Sequence, residues 1–344
     1  MSDAQPAGQP ARENIACVGA GRMGRGMAVT FAYAGHTVSL IDTKKRPPEA
    51  ATELRATALE DVTTTLTMLA GLGMLPASSV ASVSARVEVC SLSDDTSETA
   101  RSRLSNADVI FEGVPETLTA KQEAFSLIGE HARGDAIVAS TTSTMLSDTL
   151  QEMLLHPERF LNAHWLNPAY LVPLVELSPG AATSPETTRR LRELLERIGK
   201  VPVVCKASPG YIVPRIQALA MNEAARMVEQ GVASAEDIDL ATRYGFGFRF
   251  AVLGLLEFID WGGGDILYHA SRYMVDATGE ERFGSPDIIA SNMENGRIGL
   301  RTREGFLNYE DMDVADYQQQ RLAAFVAMLR HLDKLPEFAD DADH

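Results

Sequence analysis

The chain has 344 residues, enough for about two domains and an ample core, and its apolar and charged fractions of 45% and 23% are ordinary for a soluble globular protein. A net charge of −16 speaks against nucleic acid and anionic membrane surfaces as partners. No apolar run approaches the ~20 residues of a membrane span, and the polar start MSDAQPAGQPAREN has no apolar h-region of a secretory signal.

Residues 1–12 read as a flexible tail. NIACVGA is a short apolar strand, GRGMAVTFAYAG a small-residue helix and HTVSLID a second strand. Residues 49–70 carry Leu54, Ala58, Val62, Leu66 and Leu69 at helical spacing. ADVIFEGVP, AIVAST, FLNAHWLN and LVPLVELSP read as further buried strands. SPETTRRLRELLERIG is a helix with Ser184 as N-cap and Gly199 at its end, and VPVVCK closes the series. SPGYIVPRIQALAMNEAARMVEQG is one long helix stopped by Gly231, SAEDIDLATRYG begins another capped by Ser234, and the rest is helical. Alternating strands and helices imply βαβ units, hence an α/β fold: a doubly wound, mainly parallel sheet over residues 13–203, then an all-helical domain over 204–336 and an acidic tail over 337–344. Cys17, Cys90 and Cys205 form no metal-spaced cluster. Cys17 and Cys205 sit in apolar strand-like runs and read as buried reduced thiols, which fits a reducing cytoplasm.

Gly19, Gly21 and Gly24 form GxGxxG between the first strand and its helix, and Asp42 ends the next strand. Gly19 permits the tight turn, Gly21 lets the backbone approach a pyrophosphate, and Gly24 lets helix and strand pack closely. With Arg22 and Met23, they make a Rossmann-type cradle in which helix N–H groups meet the pyrophosphate. Asp42 suits the adenosine ribose hydroxyls and repels a 2′-phosphate, so NAD is the expected cofactor. The TKKR that follows places Lys and Arg where they can meet a phosphate instead.

The stretch AHWLNPAYLVPLVELSPG, residues 163–180, sets His164 and Glu176 among apolar residues, where a charge is costly unless paired or used. Together with GAGRMGRG, EGVPETLTAKQEAF, STTST, SPGYIVPR and REGF, it resembles the L-3-hydroxyacyl-CoA dehydrogenase family over about residues 13–310. RYGFGFRFAVLG looks more like the family's free-acid members, L-gulonate 3-dehydrogenase (lambda-crystallin) and carnitine dehydrogenase, than like its CoA enzymes. The resemblance implies a catalytic His164–Glu176 dyad. Imidazole, with an ordinary pKa of about 6.5, takes the alcohol proton, and the carboxylate fixes its tautomer. It also implies that Ser143 bonds the substrate oxygen and that Asn167 orients substrate or His164. Glu116 and Lys121 are expected at the nicotinamide-side ribose, and Arg301 stands where the family has a lysine reaching the cofactor. Read as residues alone, Ser143 and Asn167 are turn residues and the three charges are solvated. A homodimer through the helical domain is also implied.

Two departures bear on substrate and mechanism. Pro214 stands where the family's PGFIVNR has asparagine, which removes a side-chain donor; Gln217, one turn on, is a candidate replacement. Between Pro47 and Ala100 the only basic residues are Arg55 and Arg86, in a region that is lysine-rich in enzymes meeting the phosphates of CoA. The expectation is therefore an NAD-dependent dehydrogenase of a small free 3-hydroxy acid, with Arg249 between Phe248 and Phe250 as the cation for its carboxylate in the cleft between domains. The alternatives are a short-chain 3-hydroxyacyl-CoA dehydrogenase, or a non-catalytic NAD-binding protein with a structural or sensory role.

Overall fold

A computed structural model describes residues 12–337. Apart from Arg12 and Glu337, the tails expected over 1–12 and 337–344 lie outside the described residues. The chain divides into two compact units, Met1–Ala220 and Met221–His344.

The first unit is built on eight strands: β1 (Asn14–Val18), β2 (Thr37–Asp42), β3 (Val87–Ser91), β4 (Val109–Glu112), β5 (Ile137–Ser140), β6 (Phe160–Trp165), β7 (Leu174–Pro179) and β8 (Val201–Val204). They lie in the order β3-β2-β1-β4-β5-β6-β7-β8. Every neighbouring pair is parallel except β6 with β7, which is antiparallel. The helices between them are α1 (Arg22–Tyr33), α2 (Pro48–Gly71), α3 (Val80–Ser84), α4 (Ser97–Ser105), α5 (Leu118–His131), α6 (Ser147–Gln151) and α7 (Pro185–Arg197). Side chains alternate across a strand. Ile15 and Cys17 accordingly join one buried cluster with Met27, Leu66 and Leu191, while Ala16 and Val18 join a second with Leu104, Phe125 and Leu150. The sheet is therefore covered on both faces, as the α/β reading requires.

β1 is flanked by β2 on one side and β4 on the other, so the strand order reverses at its C-terminal end. That reversal opens a crevice beyond the sheet edge, and the glycine loop sits there. The expected helix over 49–70 is α2, with Ala58, Val62, Leu66 and Leu69 buried. Ser184 caps α7 by accepting from the Thr187 amide at 3.1 Å.

Two expectations are corrected. β3 was not anticipated, and its Cys90 is buried, whereas Cys205 is only half-buried because β8 is the edge strand of the sheet. Burial pushes the Cys17 thiol up to about 12 and the Cys90 thiol up to about 11. The first compact unit runs on past residue 204 to Ala220, inside α8 (Val213–Glu229). The reason is that the start of α8 is hydrogen-bonded to the sheet.

The second unit is helical: α9 (Ala235–Ala241), a π-helical turn at Thr242–Gly247, then α10 (Phe248–Phe250), α11 (Leu255–Gly262), α12 (Gly264–Thr278), α13 (Asp287–Glu294) and α14 (Val314–His331). Ser234 caps α9 through the Asp237 amide at 3.1 Å. Buried Asp260 accepts from the Phe306 and Leu307 amides at 2.9 and 2.8 Å, and so holds the turn that contains REGF.

Candidate active site

Antiparallel pairing of β6 with β7 sets His164 directly opposite Glu176, which explains a pair twelve residues apart in sequence. Opposed residues on one face have neighbouring side chains. His164 Nδ1 lies 2.8 Å from Glu176 Oε2, with the histidine 6% exposed and the glutamate fully buried. Glu176 Oε1 accepts from the Ile212 and Val213 amides at 2.9 and 2.8 Å, at the N-terminal end of α8. Burial pushes the Glu176 carboxyl up, but the hydrogen bonds from His164, Val213 and Ile212 outweigh it and hold the group below its ordinary value. An ionised carboxylate only accepts, so Nδ1 carries the proton and Nε2 is the nitrogen free to take one.

The Tyr211 ring stacks on His164, with centroids 4.8 Å apart and planes within 6°. The Tyr211 hydroxyl donates to the Thr142 carbonyl at 2.8 Å and accepts from Asn162 Nδ2 at 3.2 Å. Thr142 precedes Ser143, so this chain of contacts ties the dyad to the turn that carries the serine. Ser143 is exposed; its amide donates to Glu116 Oε1 at 3.1 Å, and its hydroxyl has no partner among the described residues.

Glu116 Oε1 also accepts from the Thr144 amide and hydroxyl at 3.1 and 2.9 Å, and from the Thr142 hydroxyl. Burial raises this carboxyl, and the bonds from Thr142 and Thr144 with the Lys121 charge bring it below its ordinary value. Lys121 is not a solvated charge. It is 1% exposed, and its Nζ donates to both oxygens of fully buried Glu112 at 3.0 and 2.9 Å. Ser140 Oγ completes the cluster, donating to Glu112 at 2.6 Å. Lys121 therefore lies behind Glu116, which it approaches to 3.5 Å, and supports the Thr142–Thr144 turn from below.

At the glycine loop, Gly19 has φ +113°, and a Cβ there would stand 2.7 Å from the Gly113 carbonyl oxygen. A Cβ on Gly24 would stand 2.1 Å from the Gly19 carbonyl oxygen, so α1 packs on β1 only with glycine there. Nothing lies within 4 Å of a Cβ built on Gly21, and the first turn of α1 holds no acid. A cavity of about 410 Å³ opens at this point, lined by Gly19, Gly21, Arg22, Met23, Asp42 and Gly113. These features fit a dinucleotide pyrophosphate on the amides of α1 and a ribose at Asp42. Asp42 is 3% exposed, and Arg46 Nε donates to its Oδ2 at 2.9 Å. The arginine of TKKR is thus tied to the acid, while Lys44 and Lys45 are exposed.

The remaining expected residues are more loosely placed. Asn167 is exposed, has no hydrogen bond to His164, and lines a cavity of about 620 Å³ with Arg25, Thr65 and Tyr170. Gln217 is exposed on α8, and Pro214 occupies its first turn. In the second unit Arg301 pairs with Asp265. Arg249 is exposed, with its guanidinium 5.4 Å from the Phe258 ring centroid and no ion pair among the described residues. Sequence reasoning missed Tyr211, Glu112, Ser140, Thr142 and the two α8 amides. SPGYIVPR and EGVPETLTAKQEAF contain four of these residues, but only three-dimensional pairing shows what they touch.

Residues 14–208 match the 3-hydroxyacyl-CoA dehydrogenase NAD binding domain, and residues 210–309 match the C-terminal domain of the same enzymes. The 5-formyl-3-hydroxy-2-methylpyridine 4-carboxylate 5-dehydrogenase of Mesorhizobium japonicum is 32% identical over 93% of this chain and 98% of its own length. Rabbit (Oryctolagus cuniculus) lambda-crystallin is 32% identical over 77% of this chain and 79% of its own. The crystal structure of a 3-hydroxyacyl-CoA dehydrogenase from Archaeoglobus fulgidus superposes with a TM-score of 0.72 at 27% identity, covering 94% of this chain and all of the other. The fold and its relatives define an NAD-dependent oxidoreductase acting on CH–OH groups. The chain belongs to the 3-hydroxyacyl-CoA dehydrogenase family.

Proposed function

We propose that the protein oxidises the secondary alcohol of a small free 3-hydroxy acid to the 3-keto acid, with His164 as the base. The 2.8 Å pairing of His164 Nδ1 with buried Glu176 carries this reading, because it leaves Nε2 as the proton acceptor. Glu176 stabilises the imidazolium that forms, and the apolar surroundings strengthen that pairing. Ser143 bonds the substrate oxygen through its hydroxyl and Asn167 orients the substrate. NAD, held by the glycine loop with Arg22, Met23, Asp42, Glu116 and Arg301, supplies the acceptor for the hydride that leaves carbon. Lys121 acts through Glu116.

The choice of a free acid rests on charge. Arg55 Nε pairs with Asp94 at 2.8 Å, and Arg86 donates to the Ala32 carbonyl at 2.8 Å, so both basic residues of the 48–100 region are engaged. A CoA phosphate is poorly received there. Arg249, without a carboxylate partner among the described residues, is assigned to the substrate carboxylate. The second reading, a short-chain 3-hydroxyacyl-CoA substrate, is favoured by the similar Archaeoglobus enzyme. A purely structural or sensory NAD-binding role leaves the His164–Glu176 pair without a purpose.

Among the described residues no helix is long and apolar enough to cross a membrane. The three unpaired thiols favour a reducing, cytoplasmic location. Met221, Ile266 and Tyr273 are 69%, 63% and 70% exposed, which favours a homodimer that covers the helical unit. Changing His164 to Ala should lower kcat by roughly 10²–10⁴ with NADH binding nearly unchanged. A near-normal kcat at neutral pH would remove His164 from the mechanism.

A further inference from the structure

Tyr211 is in an unusual state for a bulky residue. Its φ is +45°, in the left-handed region that side chains rarely adopt, directly after Gly210 at +77°. Two consequences of that turn meet at the dyad. The backbone swings the Ile212 and Val213 amides onto Glu176 Oε1. The ring is laid flat on His164, 4.8 Å away and parallel within 6°. The ring is 6% exposed, and its hydroxyl is anchored to the Thr142 carbonyl and Asn162. Strain of this kind persists only where the surroundings over-determine it.

We propose that Tyr211 is a positioning residue whose ring fixes the plane of His164 and faces the imidazolium formed on proton abstraction, while its hydroxyl ties that stack to the Thr142–Ser143 turn. The inference rests on His164 being the base. A cation over an aromatic face is stabilised by the ring quadrupole, more strongly when water is excluded. The ring is therefore placed to stabilise the imidazolium that forms when His164 takes the alcohol proton. The titratable groups in contact with the imidazole are Glu176 on β7 and Tyr211 itself, and Tyr211 in turn feels the charges of Glu116 beyond the Thr142 turn and Cys205 after β8.

The test is an NMR titration of the His164 imidazole in the full chain, with its resonance assigned by comparison with His164→Gln. Tyr211→Phe keeps the ring and should leave the His164 pKa within about 0.3 unit. Tyr211→Asn removes the ring but tolerates left-handed backbone, and should lower that pKa by about one unit, a tenfold change. The acid limb of kcat/KM should move to lower pH with it. Tyr211→Gly, which takes positive φ freely, replaces the Asn variant if that variant melts within the assay range. An unchanged or raised His164 pKa in the ring-less variant would overturn the role of Tyr211. If the pKa falls as expected but His164→Ala retains turnover, the stack stands and the assignment of His164 as base fails.

Discussion

Glu176→Gln isolates the orienting carboxylate with little change of shape. In the structure Oε1 accepts two backbone amides at 2.9 and 2.8 Å, and Oε2 faces His164 Nδ1 at 2.8 Å. Glutamine must keep its oxygen on the two amides, so its NH₂ turns to Nδ1. Two donors cannot share that contact. The imidazole proton is driven to Nε2, which then cannot accept the alcohol proton. Loss of the charge-assisted bond alone costs about 1.5–3 kcal/mol, or roughly 10- to 150-fold. The wrong tautomer adds to this; in serine proteases the corresponding carboxylate-to-amide change costs about 10⁴. We expect kcat to fall by about 10²–10⁴, measured by NADH formation at saturating substrate. Stability near neutral pH should also fall, by up to about 1.5–3 kcal/mol, although both amide bonds remain. In acid the two proteins should converge. Glu176 lies below its ordinary value of 4.5 when folded, so its stabilisation is complete above that pH and is lost as pH falls through the folded value. The glutamine variant lacks that loss, and acid unfolding curves should show it. A kcat within about threefold of wild type would refute the tautomer argument.

Replacing Lys121 with Met leaves Glu112 charged and buried, and should cost about 3–5 kcal/mol in urea unfolding; an unchanged midpoint would show that the ammonium does not hold this cluster. Adding Glu112→Gln to Lys121→Met should recover part of the loss. NADH should bind at least about tenfold tighter than NADPH by calorimetry, a difference of about 1.4 kcal/mol. Equal affinities would mean that Lys44 and Lys45 override Asp42. Arg249→Met should raise KM for a free acid by about 10- to 100-fold with the melting temperature kept, and Arg249→Lys should recover only part because a point charge cannot form a bidentate pair. Unchanged KM in the Met variant would assign Arg249 to structure.

The sheet was legible because buried parallel strands read as apolar runs. β3 escaped because its short edge segment carries Glu88 and lacks a continuous apolar run. His164 and Glu176 were visible as an anomaly, two polar groups in an apolar stretch, but their meeting depends on antiparallel register. Lys121 read as a solvated charge because nothing in its nine-residue spacing from Glu112, which sits in a strand read as buried, reveals that the two are paired. Tyr211 was illegible for a different reason: its role follows from a positive φ at a non-glycine residue, against local preference. The change in composition after β8 does not register the hydrogen bonds from the start of α8 to Glu176, which join that start to the first compact unit.

The central claim is tested most directly by initial rates with NAD on matched pairs of free 3-hydroxy acids and their CoA thioesters, beginning with 3-hydroxybutyrate and 3-hydroxybutyryl-CoA. The account predicts that the preferred free acid exceeds its thioester in kcat/KM by at least about tenfold, or 1.4 kcal/mol of transition-state stabilisation. A preference of that size for the thioester would contradict the free-acid assignment while leaving the His164 chemistry in place.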